Sequence, residues 1–516
     1  PSGENTALLA TLAGTPAGSL IASENGIFEL NGQKYGFDVA SIPDSVFEYA
    51  ENSVKDYNFI VKEADAEGNL TTKRYKINLK PDNFSASKSI TWMEVSKDKK
   101  SEAGVIVAEL PRKQSKYFQY TYTKPADYTE SNTRINDTLS ADSVNKVVFK
   151  TSDGSAIYNT KDNSSVNITA DFIGNSASLS SMISNRGFIG NISGNFMGNF
   201  GQAIYNSSNG TAIIGDITGD FIGNYASGKG GAIFNNLGTI GNITGNFIGN
   251  YVFNANAIGG AIYNSGIIGD ITGDFIGNYS SDSVGGAIFN DYDSSIGNII
   301  GDFIGNHSKA YGGAINNSGR TAIGNITGDF IGNYASYDVG SANGGAIDNI
   351  GTIGNITGDF IGNYTLGSYS VQGGAIYNSG TIGDITGNFL SNYVQYLSKY
   401  SKLTLGGAVY SNANLSFTAK GKQRFFSGNY TNDQTRGKNY NALFVQSVTD
   451  LASAPVIAFD TTGGGAWVVN DSIEGGYASS TDVTYAGRYY NLAFTGDGVL
   501  NEDGLTDQYI SINNDI

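Results

Sequence analysis

Asp274, Asp302, Asp329 and Asp359 each stand directly before a phenylalanine, at intervals of 28, 27 and 30 residues. Stacked at the ~4.8 Å spacing of paired strands, each neighbouring pair would repel by about 0.9 kcal/mol even in bulk water. Carboxylates, Asn amides and backbone carbonyls are the oxygen ligands Ca²⁺ takes, so a line of cations is one way to relieve such a column. The other reading is structural. Asn195, Asn246 and Asn388 fill the same place elsewhere, so it requires only a small hydrogen-bonding side chain. Asp and Asn at a corner commonly bond nearby backbone. The structural reading is the stronger: no cofactor is expected, with Ca²⁺ as the alternative.

Tyr225, Tyr251, Tyr279, Tyr334, Tyr364 and Tyr393 each follow an F-x-x-N element and are expected to stack at one corner. With Tyr337, Tyr369 and Tyr396 in the adjoining segments, they are the candidate binding stripe. Flat aromatic side chains offer contact area to sugars or proteins at low entropic cost. The blander reading is that they cover the corner and protect strand ends.

Catalysis finds little support. His307, the sole histidine, sits in the tyrosine slot, where a solvated loop residue is a better expectation than a general base. There is no cysteine nucleophile and no Ser/His/Asp set. A carboxylate pair is the remaining route, and a site should break the repeat. Asp348, expected at an outward position near Asp338, is the best break and would suit a glycosidase. The N-I-T and N-I-S tripeptides at Asn191, Asn242, Asn325 and Asn355 match a glycosylation sequon but read better as strand.

Composition narrows the partners. A formal charge of −16 repels phosphate backbones and anionic lipid. Residues 165–396 hold four basic side chains (Arg186, Lys229, Lys309, Arg320) against fourteen Asp, so nucleic-acid binding is excluded as an expectation. No apolar run reaches the ~18–20 residues that span a bilayer, so this segment is not expected to insert in a membrane. Without cysteine, stability must come from a repeated core instead of disulfides.

The elements that position these residues follow from a repeat. Ile189, Ile214, Ile240, Ile268, Ile296, Ile323, Ile353 and Ile382 each precede a phenylalanine by seven residues. Phe172, Phe196, Phe221, Phe247, Phe275, Phe303, Phe330, Phe360 and Phe389 are spaced by 24 to 30 residues. Such a period signals a stacked array whose units bury their apolar faces only on their neighbours. Each unit carries three apolar segments, A-I-x-N, I-G-x-I and F-I-x-N, too short for helices and bounded by Gly and Asn. Three strands per turn, each paired in parallel with its copy above, predict an all-β, three-sided parallel β-helix (a β-solenoid). Phe and Ile should point inward and stack like on like. Asn224, Asn250, Asn278, Asn306, Asn333 and Asn363 should form amide ladders. The x of A-I-x-N (Tyr158, Ser184, Tyr205, Phe234, Tyr263, Phe289, Asn316, Asp348, Tyr377) should face water, because it accepts Asp, Asn and Ser.

Three regions result. Eighteen of the 31 Lys and Arg lie in the first 150 positions, and residues 1–135 lack the repeat and alternate as β-hairpins, a β-rich domain or cap. Residues 136–430 are the array, and 431–516 an irregular continuation of it. Connectors of varied length join F-x-x-N to the next G-G-A. They range from one residue (Phe200) to thirteen (Tyr393 to Leu405), so all leave one corner, often the binding face in repeat proteins.

The pairing of Gly231-Ala-Ile233 with Phe221-Ile-Gly-Asn224, of Gly286-Ala-Ile288 with Phe275-Ile-Gly-Asn278, and of Gly374-Ala-Ile376 with Phe360-Ile-Gly-Asn363 resembles the chlamydial polymorphic membrane protein repeat. That repeat occurs in passengers of autotransporters, and the likeness spans about residues 153–430. The resemblance implies a right-handed β-helix displayed outside a Gram-negative cell and acting as an adhesin. It also implies an outer-membrane tether beyond Ile516. Pro1 to Ser23 lacks a basic n-region, as expected of a processed or trimmed chain.

The expected function is therefore adhesion to a host or neighbouring-cell surface protein or glycan, with self-association as a further expected contact. A polysaccharide lyase or glycosidase on the same scaffold, or a structural surface layer or fibre, is the alternative.

Overall fold

The computed structural model describes residues 124–151, 154–161, 166–207, 211–282, 284–397, 403–433, 437–446, 455–469, 471–478, 483–484, 491–495 and 499–500, with the backbone of nine strands before residue 122. Among those nine, Lys55–Ala64 pairs antiparallel with Leu70–Leu79, the hairpin type expected there. A separate N-terminal domain and the strand pattern at Tyr509 to Ile512 lie outside the described residues.

From Thr129 onward the chain coils as a parallel β-solenoid of about 11 turns. One parallel sheet of 25 strands takes the I-T and F-I segments of successive turns, and a second of 22, parallel but for two antiparallel pairings from Tyr430 onward, takes the connectors and A-I-x-N. A third, of eight strands, takes the first Ile of I-G-x-I, from Phe188–Ile189 to Thr381–Ile382. Register is strict. Ile214 pairs with Ile240, Phe221 with Phe247, and Ile233 with Ile262.

The three expected segments are all strands, but the turn is divided more finely. Between Tyr225 and Ile248 there are five, because I-G-x-I splits in two at its glycine and the connector adds one. The insertions are thus largely strand at their bases and not loops leaving a corner. In the longer ones the chain returns as a second short strand, and Ala342–Asn343, Ser370–Gln372 and Leu403–Leu405 form a three-stranded strip of their own.

The core is a set of columns. Phe221, Phe247, Phe275, Phe303, Phe330 and Phe360 are fully buried, with successive rings stacked 4.8 Å apart and within 2° of parallel. That distance is the strand spacing itself, so the sheet dictates the ring geometry. Columns of Ile and Ala line the remaining interior walls. Each turn alone could not close such a core; only its neighbours bury it.

Candidate functional site

Two asparagine ladders hold the corners. Asn250 Nδ2 donates to Asn278 Oδ1 at 3.0 Å and to the carbonyl of Phe221 at 2.9 Å. Its own Oδ1 accepts from the N–H and Nδ2 of Asn224. The second ladder uses the last residue of A-I-x-N, as where Asn235 Nδ2 donates to Asn264 Oδ1 at 2.8 Å. Both ladders are fully buried, and each amide satisfies backbone that the corners leave unpaired. The expected amide stacking is present.

The aspartates before phenylalanine do form a column. The N–H of Asp302 donates to Asp274 Oδ1 at 2.9 Å, that of Asp329 to Asp302 Oδ1 at 2.7 Å, and that of Asp359 to Asp329 Oδ1 at 2.7 Å. Where Asn alternates with Asp an amide also bridges the step, as Asn246 Nδ2 does to Asp220 Oδ1 at 3.1 Å. Between two Asp no such donor exists. Burial pushes Asp274 up to about 6 and Asp359 to about 7, and burial with repulsion from Asp359 and Asp302 raises Asp329 well above the carboxylate range. At the end of the run Arg424 Nη1 lies 3.8 Å from Asp359 Oδ1, both side chains buried. The column is linked along the axis by backbone N–H bonds to Oδ1. Among the described residues no three His, Cys, Asp or Glu side chains are placed to hold a metal ion.

The tyrosines stack, as expected, but not as an open stripe. Tyr334, Tyr364 and Tyr393 are buried, with rings 4.7 and 4.9 Å apart, while Tyr225, Tyr251 and Tyr279 are half-buried. Each connector runs on from its tyrosine as strand, and the rings of Tyr334, Tyr364 and Tyr393 pack on one another with Leu366 and Tyr430. Of the tyrosines further along the connectors, Tyr337 and Tyr396 are half-buried and Tyr369 is exposed. His307 is not a solvated loop residue. It is buried in the tyrosine column, 4.0 Å from the Tyr279 ring and 4.6 Å from that of Tyr334.

The x of A-I-x-N does not face water in most turns. Ser184, Tyr263, Phe289, Asn316 and Asp348 are buried, and Tyr158, Tyr205, Phe234 and Tyr377 half-buried. The cover is the last residue of each connector. Val284 and Tyr311 pack with Tyr263 and Phe289, and Leu405 packs with Tyr377, Tyr410 and Phe444. Asp348 therefore lies under this strip, 3% exposed, while Asp338 is on the surface, so the two do not share a solvent-open site. Burial alone raises Asp348 to about 8. The strip residues Val284, Tyr311, Asn343, Gln372 and Leu405 were missed from sequence. The signal was their common place just before G-G-A.

Three successive connectors expose large apolar side chains at their tips: Val339 is 70% exposed, Tyr369 58% and Leu397 42%. Register aligns these connectors, with Tyr337 paired to Gly367 and Gly367 to Tyr396.

Fold and columns together define a repeat protein of the parallel β-solenoid class with stacked asparagine ladders. No family model, curated protein or solved structure matches this chain.

Proposed function

We propose that this chain is a surface-displayed passenger of the autotransporter type, a right-handed, three-sided β-helix that serves as an adhesin on a Gram-negative cell. The observation that carries the reading is the row of connector tips. Val339, Tyr369 and Leu397 present apolar surface on neighbouring turns of a rigid stalk whose other insertions stay short. Exposed apolar side chains grouped this way mark contact surfaces, and flat aromatic rings such as Tyr369 suit both protein and glycan partners. The partner is a host or neighbouring-cell surface protein or glycan. An acidic chain, at −16, further favours a partner that is not itself strongly acidic.

The test is binding of the purified chain to immobilised glycans and to epithelial and bacterial cell surfaces. The triple variant Val339→Ser, Tyr369→Ala, Leu397→Ser should lose most of the binding while keeping its unfolding midpoint. Binding unchanged in that variant, no binding by the parent, or release of reducing ends from polysaccharide would overturn the reading.

A further inference from the structure

The strip that covers the A-I-x-N face changes character midway. Its two ends are apolar: Val284 and Tyr311 lie over Tyr263 and Phe289, and Leu405 over Tyr410 and Phe444. Its middle is polar. Asn316 and Asp348 are register partners on adjacent strands of the sheet, so their side chains share one face. Asn343 stands on the strip, bridged to Tyr311 on one side and paired with Gln372 on the other.

Each of these three side chains holds an acceptor that no donor meets. Oδ1 of Asn316, of Asn343 and of Asp348 is buried and has no hydrogen-bond partner among the described residues. Asn316 and Asp348 are both more than nine-tenths buried. Tyr311 and Tyr377 lie close enough to Asp348 for its charge to add to the effect of burial on both phenols. Among the described residues no Lys or Arg pairs with Asp348. Lys309 and Arg320 are the only basic residues between 230 and 396, and they pair with Asp282 and Asp293. A buried carboxylate persists only if it is paired, coordinated or protonated.

We propose that Asp348, Asn316 and Asn343 form an oxygen site for a hard metal cation beneath the connector strip. One carboxylate and two amide carbonyls are ligands of the kind Ca²⁺ accepts, and with a single negative charge they also suit a monovalent ion. The ion supplies a positive centre for three buried acceptors that no donor meets. It ties a strand of the sheet to the returning strand of the ten-residue connector, and so fixes the base of the tip that bears Val339. This site is separate from the Asp274 to Asp359 column, where each carboxylate already accepts a backbone N–H.

The experiment uses the full chain after chelation. Thermal unfolding is followed with Ca²⁺, Mg²⁺ and K⁺ added singly, and Tb³⁺ emission is read on excitation of tyrosine, since Tyr311 and Tyr377 flank the site. The parent should gain several degrees in midpoint with Ca²⁺ or K⁺ and should sensitise Tb³⁺; which ion acts assigns the site's natural class. Asp348→Asn should abolish the midpoint gain and lower Tb³⁺ emission at least twofold. Asn343→Leu, which places in the strip the residue found at its Leu405 position, should weaken both. Asp216→Asn, an exposed acid of another column, should leave both unchanged. The proposal is overturned if the parent shows no ion-dependent gain, which would leave Asp348 a neutral acid, or if Asp348→Asn and Asn343→Leu keep the gain.

Discussion

The backbone N–H of Asp359 donates to Oδ1 of Asp329 at 2.7 Å, while Oδ2 of each carboxylate is buried without a hydrogen-bond partner among the described residues. Two like groups are thus held one strand spacing apart by the sheet and not by their own attraction. The stacking that gives the solenoid its core also forces these acids together.

Stability should fall as pH rises across the neutral range. The folded chain holds Asp274 near 6 and Asp359 near 7, with Asp329 raised as well, chiefly through burial. Unfolded, these groups titrate near ~3.9. A folded-state value above the unfolded one means full stabilisation below about pH 4, lost as pH climbs through 6 and 7. The urea midpoint should decline between pH 4 and 8, and Asp329→Asn, which restores an amide donor as at Asn246, should flatten the decline. An equal slope in the variant would show that the column is not its source.

Phe247→Ala should cost about 3–5 kcal/mol. The ring is fully buried between Phe221 and Phe275, 4.8 Å from each, so its loss leaves a cavity with two rings unstacked. Urea unfolding gives the figure; a loss under about 1 kcal/mol would mean that the turns close over the gap.

Asn250→Ala should destabilise by about 1–3 kcal/mol, far more than Asn242→Ala. Removing the Asn250 side chain strands the Phe221 carbonyl and the Asn224 amide groups in a dry corner. Asn242 lies in an exposed column, where water replaces its bond to the Asp270 N–H. Equal losses in the two variants would contradict the burial argument.

Gly245→Ala should disrupt its turn locally. At φ 155° a Cβ would lie 1.9 Å from the carbonyl oxygen of Gly219, the equivalent residue one turn below. That contact is with backbone, so only separation of the two turns relieves it. Hydrogen exchange should show lost protection confined to residues near 219 and 245, with distant turns unchanged, as nearest-neighbour stacking implies.

The phenylalanine and isoleucine columns, the amide ladders and the aspartate column were all legible in the sequence. In-register parallel stacking turns a chain period into a spatial column, so identical letters at one phase become neighbours. His307 reads in sequence as the start of an open loop, yet it shares the slot of the stacking tyrosines and is buried among them. Tyr334, Tyr364 and Tyr393 stack in one column as their spacing implies, and their burial suits the reading in which they cover the corner.

The repeat by itself determined which residues stack and at what interval, because strand pairing couples each turn only to its copies. Exposure was decided by the tertiary structure. Alternation along A-I-x-N marks Asp348 as pointing away from the core, and it does so. Whether that outer side meets water depends on where Ala342–Asn343 lies, and its pairing with the strand Ser370–Gln372 of the next turn fixes that. Side-chain direction follows from local backbone geometry, whereas burial follows from what the rest of the chain lays on top.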